Sequence, residues 1–184
     1  MPTMTTAELL LDPTGMDEQA DDATLAPRPT TVRGLTVGLL DNTKPNTTMF
    51  LAKVGALLRD AEGVAGTKLY TKDYFGTPAG DDLLARIVDE VDVVITGVGD
   101  CGSCSAATVV DGILLERAGV PTVSIVSDAF HASGRAMAAV QGFPGFEFHA
   151  VPHPFASLDD AQLGEHAAST LPVAVRILTG GDAE

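Results

Sequence analysis

Residues 91–118 read VDVVITGVGDCGSCSAATVVDGILLERA, and this stretch decides the fold. The apolar run Val93-Val94-Ile95 is bounded by charge before it and glycine after it, the pattern of a short buried strand. Gly97-Val98-Gly99-Asp100 comes next, then Cys101 and Cys104, the only two cysteines of the chain. From about Ser105 the spacing of Ala106, Val109, Val110, Ile113 and Leu114 is helical. The reading is strand, glycine-rich turn, helix, with Cys-Gly-Ser-Cys at the turn. A thiol in the first turn of a helix meets the positive end of the backbone dipole and free N–H groups, which favour thiolate over thiol.

The same alternation extends in both directions. Leu35-Thr36-Val37-Gly38-Leu39-Leu40 is a strand apolar on both faces. The polar loop Asp41-Asn42-Thr43-Lys44-Pro45-Asn46 leads from it to a helix marked by Phe50, Leu51, Val54, Leu57 and Leu58. Lys68-Leu69-Tyr70-Thr71 is a weaker strand suited to a sheet edge, and Leu83, Leu84, Ile87 and Val88 mark a helix capped by Asp81 or Asp82. After the cysteine unit, Thr122-Val123-Ser124-Ile125-Val126 is a fourth strand and residues 128–140 a fourth helix. Residues 146–151 give a fifth strand with alternating faces. Residues 158–178 give a last helix, interrupted or restarted at Pro172 and stopped by Gly180-Gly181. Five strand–helix repeats predict an α/β fold: a doubly wound, flavodoxin-like, five-stranded parallel sheet of order 2-1-3-4-5. Residues 32–184 form this single domain. Residues 1–31, with four prolines, the acids Asp17, Glu18, Asp21 and Asp22, and the apolar patch Leu9-Leu10-Leu11, read as an extended N-terminal arm lying on the body or on a neighbouring subunit.

A net charge of −14 argues against nucleic acid and anionic membranes as partners. No apolar stretch reaches the length of a membrane span, and the N-terminus lacks a basic-then-apolar signal pattern. The expectation is a cytoplasmic protein, where a close cysteine pair is more often catalytic, redox-active or metal-binding than a secreted staple.

In the order 2-1-3-4-5 the chain leaves strand 1 in opposite directions, and the crevice above the carboxyl ends of strands 1 and 3 is the ligand site of such sheets. The loop bearing Asp41, Asn42, Thr43, Lys44 and Asn46 meets the cysteine turn there, and Ser127, Asp128 and His131 approach from strand 4. Lys44 beside Cys101 would further favour thiolate. Asp41 and Asn42 equally suit a plain chain turn and Asp128 a helix cap. His153 comes after strand 5 and sits further off unless its loop leans in. The cysteine pair has four readings. Half a zinc site lacks a second cysteine pair and any recognised histidine spacing, so no metal is expected. Two buried structural cysteines would not need Gly97, Gly99 and Gly102. A thioredoxin-type redox pair fits both spacing and position, and so does one nucleophile with a helper thiol. Gly97-x-Gly99-x-x-Gly102 matches the dinucleotide fingerprint in form, but it succeeds the third strand and carries cysteines where phosphate would lie. No cofactor is expected.

Leu39-Leu40-Asp41-Asn42-Thr43-Lys44-Pro45-Asn46 together with Gly97-Val98-Gly99-Asp100-Cys101-Gly102-Ser103-Cys104 resembles the UGSC family, named for a Sec-Gly-Ser-Cys motif and described as thiol–disulfide oxidoreductase-like. The resemblance runs from about residue 34 to the C-terminus. It implies that Cys101 stands at the position of the reactive selenium and Cys104 at its partner's. A looser likeness to selenoprotein subunits of amino-acid reductases points the same way.

Three functions fit. In the first, Cys101 attacks a small-molecule substrate, Cys104 resolves the adduct as a disulfide, and an external thiol reductant restores the pair. Asp100, Gly102, Ser103, Ser105 and Ser127 orient the thiols or substrate, and Asp41, Asn42, Thr43, Lys44 and Asn46 hold the substrate. In the second, Cys101 is the nucleophile of a lyase, hydratase or hydrolase, with Asp128 or His131 moving protons. A homo- or hetero-oligomer is expected, and in the third function the chain is not catalytic on its own but one subunit of a hetero-oligomer whose site is completed by another chain, with the N-terminal arm as the tie.

Overall fold

A computed structural model of the protein describes residues 23–181. The elements run β1 (Thr36–Asp41), α1 (Thr47–Leu57), β2 (Gly66–Thr71), α2 (Asp81–Glu90), β3 (Val93–Gly99), α3 (Gly102–Arg117), β4 (Thr122–Ser127), α4 (His131–Val140), β5 (His149–Val151) and α5 (Asp160–Thr179). The five strands form one parallel sheet in the order β2-β1-β3-β4-β5, as the alternation of patterns predicts. A parallel pair needs a crossover, and each crossover here carries a helix that covers a sheet face.

Alternate residues of each strand divide between the two faces. Val37, Leu39, Val93, Ile95, Val123 and Ile125 pack under Phe50, Leu51 and Val54 of α1 and Leu163, Ala167 and Ala174 of α5. Leu40, Tyr70 and Val94 face Ile87 of α2 and Leu115 of α3. Val126 meets Val109 and Ile113 of α3 and Ala138 of α4. β1, β3 and β4 are therefore hydrophobic on both sides, whereas Lys68 and Leu69 of β2 are exposed, as expected of an edge.

Several boundaries differ from the sequence pattern. β3 extends four residues beyond Ile95, because Thr96 pairs with both β1 and β4 and Gly97 pairs with β1 even though glycine is a poor strand former. α3 starts at Gly102 with Cys101 as its N-cap. α2 is preceded by Gly80; Asp81 and Asp82 stand in its first turn, and neither caps it. A short 3-10 turn, Asp128–Phe130, precedes α4. β5 holds only three residues. Phe146 and Phe148, whose alternation suggested a longer strand, are instead buried in loop backbone against α3 and α4. α5 runs through Pro172 without a break; the carbonyl this leaves without an N–H is that of Ala168, which is exposed and open to water.

The expected arm falls mostly on residues 1–22, the Leu9-Leu10-Leu11 patch included, and these lie outside the described residues. The segment from Ala26 to Arg28 is held to the body. The buried carboxylate of Glu116 accepts the Ala26 N–H at 2.8 Å, the Arg28 guanidinium at 2.6 Å and the Thr122 N–H at 2.7 Å. Among the described residues no helix is long and apolar enough to cross a membrane.

Candidate active site

The turn from β3 into α3 is built by an irregularity in the ladder. Between Thr96 and Gly99 the β3–β4 register shifts, a bulge that withdraws the backbone of Val98 from regular pairing. The β1–α1 loop takes up the freed groups. Val98 N–H donates to Thr47 Oγ1 (3.3 Å), and Asn42 Nδ2 donates to the Val98 carbonyl (2.7 Å) and to Thr108 Oγ1 (3.3 Å). Gly99 admits no side chain, since a Cβ there would stand 2.5 Å from Ser105 Cα and 2.9 Å from Ser105 N. The opposite holds at Gly102, where a Cβ would meet only Ser133 Oγ, at 3.8 Å. The lack of a side chain at Gly102 leaves space beside the cysteines.

Cys101 caps α3 through its sulfur: the Cys104 N–H points at Sγ at 3.3 Å, and Ser103 Oγ lies 3.7 Å from the same atom. Cys101 is half-buried and Cys104 fully buried. The two are joined in a disulfide with Cα atoms 5.3 Å apart. The pair therefore has a half-buried outer cysteine and a fully buried inner one. A thiolate at Cys101 would face the open N–H groups and positive dipole end of a 16-residue helix.

The β1–α1 loop is ordered largely by its own side chains. Asp41 accepts the Thr43 N–H at 2.7 Å and the Thr48 hydroxyl. Asn42 is fully buried; its oxygen accepts the Lys44 N–H at 3.3 Å and the Thr47 hydroxyl at 3.4 Å. Thr43 and Asn46 have φ of 65° and 70°, a left-handed conformation unfavourable for β-branched threonine. Asn46 is the N-cap residue of α1, but its side chain makes no capping hydrogen bond. Its amide instead reaches the carbonyls of Phe155, Ala156 and Leu158 at 3.3, 3.2 and 2.9 Å, tying this loop to the one after β5. Lys44 directs its ammonium over the Phe75 ring at 4.0 Å, a cation–π contact. The ammonium is thus engaged by an aromatic ring of the β2–α2 loop and not by the cysteine.

A second group of residues gathers at the ends of β3, β4 and β5. Asp100 Oδ1 pairs with His153 Nδ1 at 2.9 Å, and Oδ2 accepts the Ala156 N–H at 3.1 Å. Burial works against the charged form of Asp100. The neighbouring Ser127 hydroxyl, the His153 ring and the Ala156 N–H outweigh it and hold the carboxyl below its usual range. Ser127 Oγ stands close enough to exert this influence without forming a well-directed bond, and Ser105 Oγ is likewise buried without a partner among the described residues. Asp128 uses one oxygen to accept the His153 backbone N–H at 3.1 Å. The His131 ring lies 4.7 Å from that of Phe148. The histidine brought to the cysteine turn is His153, whose loop does lean in. The signal for it in the sequence is its place between Pro152 and Pro154, which stiffen the backbone on either side.

Two cavities adjoin this end of the sheet. The larger, about 600 Å³, lies over the β2–α2 connection from Lys72 to Leu83. It holds no thiol, and Lys72 on its wall is already paired with Asp111 at 2.5 Å. The smaller, about 380 Å³, is an apolar groove between Ser103, Ala106, Ala107 and Val110 of α3 and Met137 and Gln141 at α4. Its lining includes Ser103, one of the two residues between the cysteines. Among the described residues no group of three or more His, Cys, Asp or Glu is placed to hold a metal. None of the curated proteins matches the chain. The Cys101-Gly102-Ser103-Cys104 run that caps α3 lies within the match of the UGSC family model, which spans residues 9–180, and the chain belongs to the UGSC family.

Proposed function

We propose that the protein is a thiol-dependent enzyme that exchanges its Cys101–Cys104 pair with a small-molecule disulfide. The observation that carries this is the asymmetry of the pair: an outer sulfur at a helix N-cap, approached by the Cys104 N–H at 3.3 Å, and an inner, buried cysteine close enough to close a disulfide with it.

The reaction balances in two steps. Cys101 thiolate attacks R–S–S–R′; the Cys101–S–S–R bond forms, the substrate S–S bond breaks, and R′S⁻ leaves and takes a proton. Cys104 loses its proton, attacks the Cys101 sulfur and expels RS⁻, which is protonated in turn. The enzyme dithiol is oxidised to its disulfide and the substrate is reduced to two thiols. Two equivalents of an external thiol, or one of a dithiol, return the enzyme to the reduced state. The open space at Gly102 and the groove at Ser103 receive the substrate. Asp41, Asn42, Thr47 and Asn46 keep the surrounding loops in place.

Cys104→Ser tests this. The variant should accumulate a stable mixed disulfide on Cys101, visible as an added half-substrate mass, and lose turnover. Turnover at the wild-type rate would overturn the exchange cycle. That result would favour a second reading, Cys101 as the nucleophile of a lyase, hydratase or hydrolase reaction, which is supported by the Asp100–His153 pair one residue from the nucleophile.

A further inference from the structure

We propose that His153, oriented by Asp100, is the acid–base residue of the cysteine site and protonates each departing thiolate; this rests on the thiol–disulfide exchange proposed for Cys101 and Cys104. An ionised carboxylate only accepts hydrogen bonds, so the 2.9 Å contact between Asp100 Oδ1 and His153 Nδ1 assigns the proton of that edge to Nδ1. Nε2 is left as the working nitrogen, and no group among the described residues bonds it. The two partners differ in exposure: the Asp100 side chain is 5% accessible and that of His153 39%. The anchor is sheltered, and the ring it holds is open.

The ring is held from three elements. Asp100 at the end of β3 fixes Nδ1. Asp128, directly after β4, accepts the His153 backbone N–H at 3.1 Å. Phe130 meets the ring edge-on with centroids 5.5 Å apart. The titratable groups that face His153 are therefore Asp100 and Asp128, both acidic. Asp100 directly precedes Cys101 in the chain, so the histidine's anchor and the nucleophile sit on the same turn. Among the described residues no carboxylate pairs with the ring of His131, at the start of α4; that ring meets Phe148.

In the first half of the exchange, neutral His153 first takes the Cys101 thiol proton at Nε2, giving thiolate and imidazolium; as Cys101 attacks, Nε2–H gives that proton to R′S⁻, leaving neutral His153. The proton that Cys104 sheds as it attacks is replaced at Nε2 from solvent, and Nε2 passes it to RS⁻. Two thiol protons enter and two leave on the products, so His153 ends unchanged. A general acid matters most where the leaving group is basic. An alkyl thiolate needs the proton, and an electron-poor aryl thiolate does not.

The test is single-turnover oxidation of the fully reduced full-length protein by two probes, a dialkyl disulfide and a nitro-substituted diaryl disulfide, in wild type and His153→Asn. The asparagine amide can still donate to Asp100 but cannot titrate. The expected result is a dialkyl rate lowered by about 100-fold, an aryl rate lowered by less than about threefold, and loss of one limb from the dialkyl pH profile. His153→Gln should behave alike, and the retained aryl reactivity reports a folded site. Equal slowing with both probes would mean a structural role and overturn the proposal, as would no slowing with either. A wild-type protein that oxidises with neither probe would instead sink the exchange reading, and this proposal with it.

Discussion

Asp111 stands in the middle of α3 among apolar neighbours, and its side chain is fully buried. Its Oδ2 lies 2.5 Å from Lys72 Nζ, itself 1% accessible, and its Oδ1 accepts the Ala79 N–H at 2.6 Å. Burial pushes this carboxyl up, against the pull of Lys72 and the Ala79 N–H. Asp111→Ala would strand a buried ammonium and a buried N–H together. Removing one partner of a buried pair costs about 3–5 kcal/mol, a large part of the roughly 5–15 kcal/mol that holds a domain folded. Asp111→Asn keeps an acceptor for Ala79 but removes the charge, and should recover no more than about 1–2 kcal/mol of that loss. Lys72→Met combined with Asp111→Asn removes the stranded charge, and the cycle should show a coupling of about 2–3 kcal/mol. Equilibrium urea unfolding monitored by far-ultraviolet circular dichroism, with the cysteines kept reduced throughout, measures these three variants, Lys72→Met alone and the wild type. A loss below about 1 kcal/mol in Asp111→Ala would refute the burial of this pair. It would also refute the anchoring of the β2–α2 loop, whose Gly76 and Pro78 border the groove beside Ser103.

Gly99→Ala places a methyl group 2.5 Å from the Ser105 backbone; the turn must shift, costing about 1–3 kcal/mol with a drop in melting temperature, whereas Gly102→Ala, which meets nothing closer than 3.8 Å, should melt within about 2 °C of wild type. Asp100 has its carboxyl held below the unfolded value of about 3.9, so its contribution is fully present above that pH and is lost as pH falls through the folded value. The urea midpoint of the wild type should therefore fall more steeply below pH 4 than that of Asp100→Asn, and parallel curves would contradict the assignment. Glu116→Ala leaves the Ala26 and Thr122 N–H groups and Arg28 without their acceptor; amide hydrogen exchange at Ala26 and Thr122 should accelerate by more than tenfold, and unchanged protection would show that residues 26–28 are held by other contacts.

Much of this fold is legible in the chain because parallel strands covered on both faces appear as short continuous apolar runs separated by helical periodicity. Val93-Val94-Ile95 and Thr122 to Val126 are such runs, and Cys-Gly-Ser-Cys falls where strand gives way to helix. The rest depends on partners distant in sequence. Gly97 is a poor strand former and becomes strand because Asp41 of β1 pairs with it. Phe146 and Phe148 alternate like a strand, yet they are anchors of a loop, and side-chain period alone does not separate the two. Asn42, Thr43 and Asn46 read as ligand-holding groups by type. The structure shows Asn42 closing a bulge and Asn46 bridging to residues 155–158, neither of which a local pattern encodes. His153 meets Asp100 across 53 positions, and only the strand order brings those loop ends together. One signal was present: a lone aspartate, Asp111, between Val109 and Leu115 calls for polar partners when buried, and these are Lys72 and the Ala79 N–H.

The most direct measurement is the rate at which iodoacetamide alkylates each cysteine of the reduced protein at pH 7, with the sites resolved by peptide mass and the urea-unfolded chain as reference. The helix N-cap and the half-exposed position of Cys101 should make it react first, and at least about threefold faster than in the unfolded chain, while Cys104 remains protected. Modification of Cys104 before Cys101, or a Cys101 rate at or below that of the unfolded chain, would contradict an activated outer sulfur and the enzyme proposed around it.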